Sequence, residues 1–235
     1  WSGCVSAPTA TPSRSFIFDK PAEMKLECVT EGASIRYTTD GSVPTDKSQL
    51  YQKPLSFDKP CIVKAAAFCE GLKQSPVCSA EIAKSKSPET PANTIAGLNR
   101  SYYEGKWEFL PDFGKLTPVS KETANIIEIA GNKRQENFAL VFEGFISAPK
   151  DGIYTFYTNS DDGSRLLIGT KIIVDNDGGH GEQERSGTIG LMAGKHAFKL
   201  EFFQGAGGKG LSASWAGPDL AKQIIPAEVL SHIGE

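Results

Sequence analysis

No apolar run in this 235-residue chain is long enough to cross a bilayer. The longest, around "CIVKAAAFC", is interrupted by Lys64, whereas a spanning helix needs about 20 predominantly apolar residues. A basic stripe is missing too, and the formal charge of −3 argues against nucleic acid as a partner. Nucleophile and nucleotide signatures are lacking: there is no Gly-x-Ser-x-Gly elbow and no Gly-Lys-Ser/Thr phosphate loop. The three histidines, His180, His196 and His232, show no metal-ligand spacing. Among the five cysteines no Cys-x-x-Cys pair occurs, so a zinc site is not expected. The chain opens on Trp1 without an initiator Met. The simplest expectation is a piece of a longer protein whose targeting information lies elsewhere. "WSGC" has the small-small-Cys look of a lipoprotein cleavage site but lacks the apolar run that precedes one.

What is present is β-rich. With 39% hydrophobic residues and 24 glycines the chain can bury a core, and nothing in the composition reads as disordered. The polar, proline-bearing stretch "KSKSPETPAN", within residues 84–94, reads as a linker. It separates a first module, residues 8–83, from a second, residues 95–235. In the first, "MKLECV" sets Met24, Leu26 and Cys28 against Lys25 and Glu27, a half-buried strand. "SIRYTT", "CIVKAAAF" and "VCSAEI" follow, and Asp40-Gly41 has the dipeptide of a hairpin turn. Short strands without an intervening helix indicate a small sandwich. Cys61, Val63, Ala65, Ala67 and Cys69 share one strand face, where buried thiols filling a core are the preferred reading; a Cys69 to Cys78 disulfide is the alternative.

The second module continues the alternation in longer strands. In "GIYTFYTN", Ile153, Thr155, Tyr157 and Asn159 oppose Tyr154, Phe156 and Thr158. "FALVFEGFISA", "SRLLIG", "KIIVDND", "GTIGLMAG", "HAFKLEFFQ" and "LSASWAG" complete the set, separated by Gly-rich turns. Only "KETANIIEIAG" and "PAEVLSHI" offer helical spacing. The fold class is all-β, a small sandwich followed by a larger antiparallel one. Trp215 shares a face with Leu211 and Ala213 and is expected in the core, while Trp107 and Tyr102 are open to either a core or a surface role.

"GLNRSYYEGKW" and the long string from "FEGFISAPKDGIYTFYTNSDDGSRLLIG" to "SASWAGP" resemble the domain named after the anthrax protective antigen, the PA-fourteen domain, over residues 97–218. That resemblance implies a β-sandwich of the kind attached to secreted glycosidases, toxins and adhesins, whose adhesin members are calcium-dependent lectins. "IRYTTDGSVPT", "YQKPLSF" and "IVKAAAFCEGLKQSPV" resemble the immunoglobulin-like domain at the C-terminal side of chitobiases and β-hexosaminidases, over residues 8–82. Together the resemblances imply the non-catalytic accessory region of a secreted, periplasmic or cell-surface glycoside hydrolase of β-N-acetylhexosaminidase type. The implied partners are a glycan or glycoconjugate and an adjacent catalytic domain of the same chain.

Within "TNSDDGSRLLIG", Asp161 and Asp162 are adjacent. Neighbours on an extended strand point to opposite faces, so facing one ion requires a bend that a cis peptide achieves. Ca²⁺ takes about six to eight oxygen ligands near ~2.4 Å; without an ion the two carboxylates repel and one tends to keep its proton. In the lectin branch of the resembling family, an aspartate pair at this place is joined by a cis bond, holds calcium and presents it to sugar hydroxyls. Asp161 and Asp162 match that pair. The lectins add an Asn and backbone carbonyls from a late loop; here the corresponding "QGAGGKGL", residues 204–211, has neither Asn nor Asp. Gln204, Gly207, Gly208 and Lys209 are its candidate contributors, and His180 is an exposed loop residue that could touch a ligand. The alternative is a plain strand-connecting turn in which one Asp accepts backbone N–H bonds and Gly163 takes a positive φ.

Asp175 and Asp177 in "VDNDGGHGE" lack the ligand spacing of a helix-loop-helix calcium loop and are expected to shape a tight turn. Glycoside hydrolysis needs two carboxylates across a cleft, a role that adjacent acids sharing an ion serve poorly. A structural spacer without a ligand is the alternative to carbohydrate binding.

Overall fold

The computed structural model describes residues 3–12, 15–18, 20–129 and 134–234. The chain forms two compact units, Trp1–Lys86 and Ser87–Glu235.

In the first unit, β1 (Thr9–Thr11), β3 (Ala22–Glu27) and β6 (Leu55–Phe57) form a three-stranded antiparallel sheet, with β2 (Phe16–Phe18) belonging to its partner. That partner runs β8 (Cys78–Lys86), β7 (Cys61–Phe68), β4 (Ser34–Thr38), β5 (Gln49–Leu50), with β2 parallel to β8. The alternating residues do what their period demands: Met24, Leu26, Val63, Ala65, Ala67 and Ile82 are buried between the sheets. Cys28, Cys61, Cys69 and Cys78 pack partly buried against them. All five cysteines carry free thiols, so no disulfide joins Cys69 to Cys78. The Asp40-Gly41 dipeptide does not close a tight hairpin. β4 has ended at Thr38 and β5 starts only at Gln49. Instead Asp40 Oδ1 accepts from Ser42 N at 2.9 Å, a side-chain-closed turn with Gly41 at φ +79°.

In the second unit, β9 (Thr94–Ala96) and β20 (Leu230–Ile233) flank a sheet ordered β11 (Ser120–Ala124), β10 (Leu98–Glu104), β12 (Phe138–Ala148), β17 (Gly194–Gln204), β14 (Ser164–Ile168), β15 (Lys171–Asn176). The facing sheet contains β19 (Leu220–Ile224), β18 (Gly210–Gly217), β13 (Gly152–Asp161) and β16 (Gln183–Leu191), all antiparallel. Phe142, Tyr154, Phe156, Leu166, Phe198, Leu200 and Phe202 fill the space between. Trp215 is core as expected, 2% exposed and stacked on Tyr154 at 5.6 Å. Tyr102 is core too, against Phe138 at 5.9 Å.

Three further expectations change. "KETANIIEIAG" forms no helix over its described residues: Ser120–Ala124 is the edge strand β11, where pairing with β10 overrides local spacing. Its last two residues, 130 and 131, lie outside the described residues, as does residue 235 of the second module. "PAEVLSHI" yields one turn of 3₁₀ helix, Ala227–Val229, before β20. The stretch 84–94 is not wholly linker either. β8 runs on to Lys86 because Ile82 to Lys84 pair with β2, and Thr94 opens β9. Among the described residues no helix is long and apolar enough to cross a membrane.

Candidate functional site

The inward-facing residues of β13 change character along the strand. Tyr154 and Phe156 lie in the aromatic core; Thr158 and Ser160 follow, equally buried, and Asp162 comes next in the same parity. At that point the chain leaves one sheet and enters β14 of the other, so the acidic pair sits on a sheet-switching turn at the rim. Register brings two further switches to the same end. Asp161 pairs with Gly210 at the start of β18, Ser164 with Phe202 near the end of β17, and Ser164 also with Asn176 at the end of β15. The connections 177–182 and 205–209 therefore border the acidic turn.

The Asp161–Asp162 peptide bond is cis, the geometry that the resemblance implies. The two carboxylates have different surroundings. Asp162 is 8% exposed. Its Oδ1 accepts from His180 N at 3.1 Å and its Oδ2 from Gly205 N at 2.8 Å, one amide from each neighbouring loop. Asp161 receives no hydrogen bond from any described residue. Burial first, then the charge of Asp162 and that of Glu182, push its carboxyl above the ordinary range, while His180 pulls the other way. Gly208 closes on it so tightly that a Cβ there would lie 2.5 Å from Asp161 Oδ2. Gly163 does not take a positive φ. It is required for space, since a Cβ would meet the Phe203 ring at 2.5 Å and the Gly178 backbone at 2.8 Å.

The other candidates divide. Gln204 is fully buried and its Nε2 donates to Gly208 O at 2.8 Å, which folds the 205–209 loop back on the strand; its Oε1 is buried without a partner. Gly207 N donates to Glu136 Oε1 at 3.2 Å, and exposed Lys209 Nζ donates to Gln135 Oε1. Gln204 thus shapes the loop, whereas the Lys209 side chain is directed to Gln135. His180 is half-buried rather than exposed, because its ring turns onto its own loop: Nδ1 faces Gly181 O at 2.8 Å and Nε2 faces Asn176 O at 3.0 Å. The hydrogen bond that His180 brings to the acid pair comes from its backbone N–H, beside its electrostatic pull on Asp161.

Asp177 was expected only to shape a turn. Its Oδ1 accepts from Gly178 N at 2.8 Å and from Leu110 N at 2.7 Å, and its Oδ2 accepts from Arg165 Nη2 at 3.2 Å. It thus ties the 105–119 connection to the rim across 67 residues of sequence. Beneath the turn, Ser160 and Ser164 hydroxyls meet at 2.8 Å, and Asn176 Nδ2 donates to Ser160 Oγ at 3.1 Å and to Gln183 O at 3.0 Å. None of these contacts could be found in the sequence, since polar residues near strand ends are indistinguishable from solvated ones until pairing is known.

Chemically the turn offers two adjacent carboxylates, one without a hydrogen bond, and the strand leading into the bordering 205–209 connection ends on Gln204, whose buried Oε1 lacks a partner. Such a set suits a hard cation. Among the described residues no group of three or more His, Cys, Asp or Glu side chains is placed to hold a metal, so backbone and amide oxygens would have to complete it.

Comparison with known proteins bears on both units. The PA14 domain family matches residues 97–228, more than half of the chain, and the chitobiase/beta-hexosaminidase C-terminal domain matches residues 15–79. Anti-sigma-I factor RsgI3 of Acetivibrio thermocellus is 26% identical over 152 residues, covering 58% of this chain and 21% of that protein. A beta-hexosaminidase of Porphyromonas gingivalis is 27% identical over 175 residues, covering 69% of this chain and 22% of the enzyme. The chain thus spans about a fifth of the length of these curated relatives. A solved PA14 sugar-binding domain from an RTX adhesin shares the fold at TM-score 0.51 and 16% identity, covering 59% of this chain and 99% of that one.

Proposed function

This chain belongs to the PA14 domain family, and from that footing we propose that it is a non-catalytic, carbohydrate-binding accessory region whose glycan site is the Asp161–Asp162 turn, loaded with calcium. The observation that carries the proposal is Asp161: a partly buried carboxylate beside a second acid, met by no hydrogen-bond donor among the described residues, at a place where only a glycine at 208 leaves it room. An uncompensated acid at such a place is costly unless it is protonated or meets a cation. The Asp161 and Asp162 carboxylates would hold the ion, with loop carbonyls of residues 205–209 and Gln204 Oε1 as the remaining protein donors. Calcium there would supply a hard Lewis centre with positions left for vicinal sugar hydroxyls. Asp162, fixed by the two loop amides, keeps both loops at the turn.

The RTX adhesin neighbour is a sugar-binding domain, and the P. gingivalis relative is a beta-hexosaminidase. These support a parent that is a secreted or surface glycoside hydrolase with its catalytic domain elsewhere in the chain. The anti-sigma relative shows that similar sequence also occurs in another kind of parent, and a glycan-binding role would serve either. A second reading, modules that only space or stabilise a neighbour, is favoured by the lack of an Asn or Asp in the late loop.

Calorimetric melting with and without calcium tests the proposal. The expected outcome is a rise in Tm that grows with free calcium and disappears in Asp161→Asn, together with calcium-dependent retention of a glycan on an array. A melt indifferent to millimolar calcium would leave the spacer reading in its place.

A further inference from the structure

The 105–119 connection brings aromatic rings to the acidic turn. Trp107, Phe109, Asp162, Gly179, Phe203 and Gly205 line one cleft of about 390 Å³, within the size range of small-ligand sites. Trp107 is half-buried, packed on the Tyr103, Phe113 and Phe203 cluster. Phe109 is 64% exposed, an unusual state for a large ring on a loop that is otherwise held firmly. The holding group is Asp177, which receives Leu110 N directly after Phe109. Phe109 lies alongside Gly178, where an added Cβ would sit 3.7 Å from its ring, and Gly179 leaves the way open to Asp162 Oδ1.

We propose that Phe109 and Trp107 form a stacking wall for one hexopyranose residue, the same residue whose hydroxyls meet the cation at Asp161 and Asp162, and that Asp177 positions the wall. This deepens the reading above and rests on it. The cleft sets the Asp162 carboxylate, with Glu108 also on its lining, beside the rings of Trp107, Phe109 and Phe203. A pyranose has the matching asymmetry, with hydroxyls along its edge and a C–H face able to lie on a ring. A purely apolar partner would strip water from the Asp162 carboxylate and leave only its two loop amides to meet the charge. The ligand class is therefore a hexopyranose with one face free of axial hydroxyls, rather than a peptide or a lipid.

The test is calorimetric titration of the whole chain, first with calcium alone and then, in saturating calcium, with a panel of methyl hexopyranosides. Phe109→Ala is expected to weaken binding of the best glycoside by roughly two- to tenfold, the usual worth of an aromatic contact, while its affinity for calcium alone is unchanged. Trp107→Phe, which keeps the cluster packed, should weaken it less. Asp177→Ala should weaken the glycoside but not calcium, and Asp177→Asn, which keeps the Oδ1 acceptor, should restore it. If calcium and glycosides bind and Phe109→Ala changes neither, the wall is wrong and the metal reading stands. If glycosides bind without calcium but depend on Phe109, the wall stands and the metal reading falls. If neither calcium nor any glycoside binds the native chain, both are overturned.

Discussion

The two units bury different things. Among the described residues of the first, Ser75 is the one buried polar side chain; in the second, Thr158, Ser160, Asp162, Ser164, Asn176 and Gln204 are all buried near one end of the sandwich. Three of their atoms, Thr158 Oγ1, Asn176 Oδ1 and Gln204 Oε1, have no hydrogen-bond partner. Apolar burial is non-directional, so the first unit needs only volume and alternation to stand. Buried polar groups are directional and cost free energy wherever they are unmet. Arg100, Ser101, His196, Ser214, Ser231 and His232 are buried in the same unit as well, but the six around the acidic turn mark a place where stability is given up for something other than folding, a pattern expected of functional sites.

The contrast can be broken or sharpened by measurement. The largest effect belongs to the core. Phe156→Ala, at a fully buried position against Trp215, should cost about 3–5 kcal/mol in chemical denaturation, and Met24→Ala in the first unit about 2–5 kcal/mol. Loss of the calcium response in Met24→Ala would break the assignment of the site to the second unit. Next in size is the metal itself. Calcium at a hundred times its Kd should add about 2.7 kcal/mol to the native chain and nothing to Asp161→Asn. Asp162→Ala strips the acceptor from His180 N and Gly205 N and should cost about 1–3 kcal/mol without metal.

Smaller still is the pH response. Because the folded-state pKa of Asp161 is raised, its contribution without metal is present below the ordinary Asp pKa. It is lost as pH rises through the raised folded value. Metal-free Asp161→Asn should therefore be the more stable of the two above that range, and calcium affinity should climb over the same interval as the carboxyl ionises. The smallest effect is chemical. Burial raises the thiol pKa of Cys61 and Cys78, so both should alkylate more slowly at neutral pH than exposed Cys4. Equal rates would show the first unit's core to be looser than its burial implies.

Much of the fold could be read from the chain. Alternation in "MKLECV" and "GIYTFYTN" is period-2 information, local and sufficient to place Met24, Leu26, Tyr154 and Phe156 in cores. Where local pattern misled, pairing had overridden it: the first four residues of "KETANIIEIAG" joined an edge strand by hydrogen bonding to β10. The site was legible in part. The adjacency of Asp161 and Asp162 is visible in the sequence, but the exposure of His180 was misjudged because its ring bonds to carbonyls of its own loop. The clamp at Asp177 and the wall at Phe109 were not foreseen, since each depends on a partner far away in the chain.

By itself, then, the sequence determined an all-β chain of two modules in order and the presence of two neighbouring acids before a glycine, because alternation and turn chemistry act between residues close in the chain. The tertiary structure alone decided that the 105–119, 177–182 and 205–209 connections meet those acids, leaving Asp162 held by two amides and Asp161 by none. Antiparallel register makes that choice, since it sets remote strand ends side by side and no local preference encodes which ends those are.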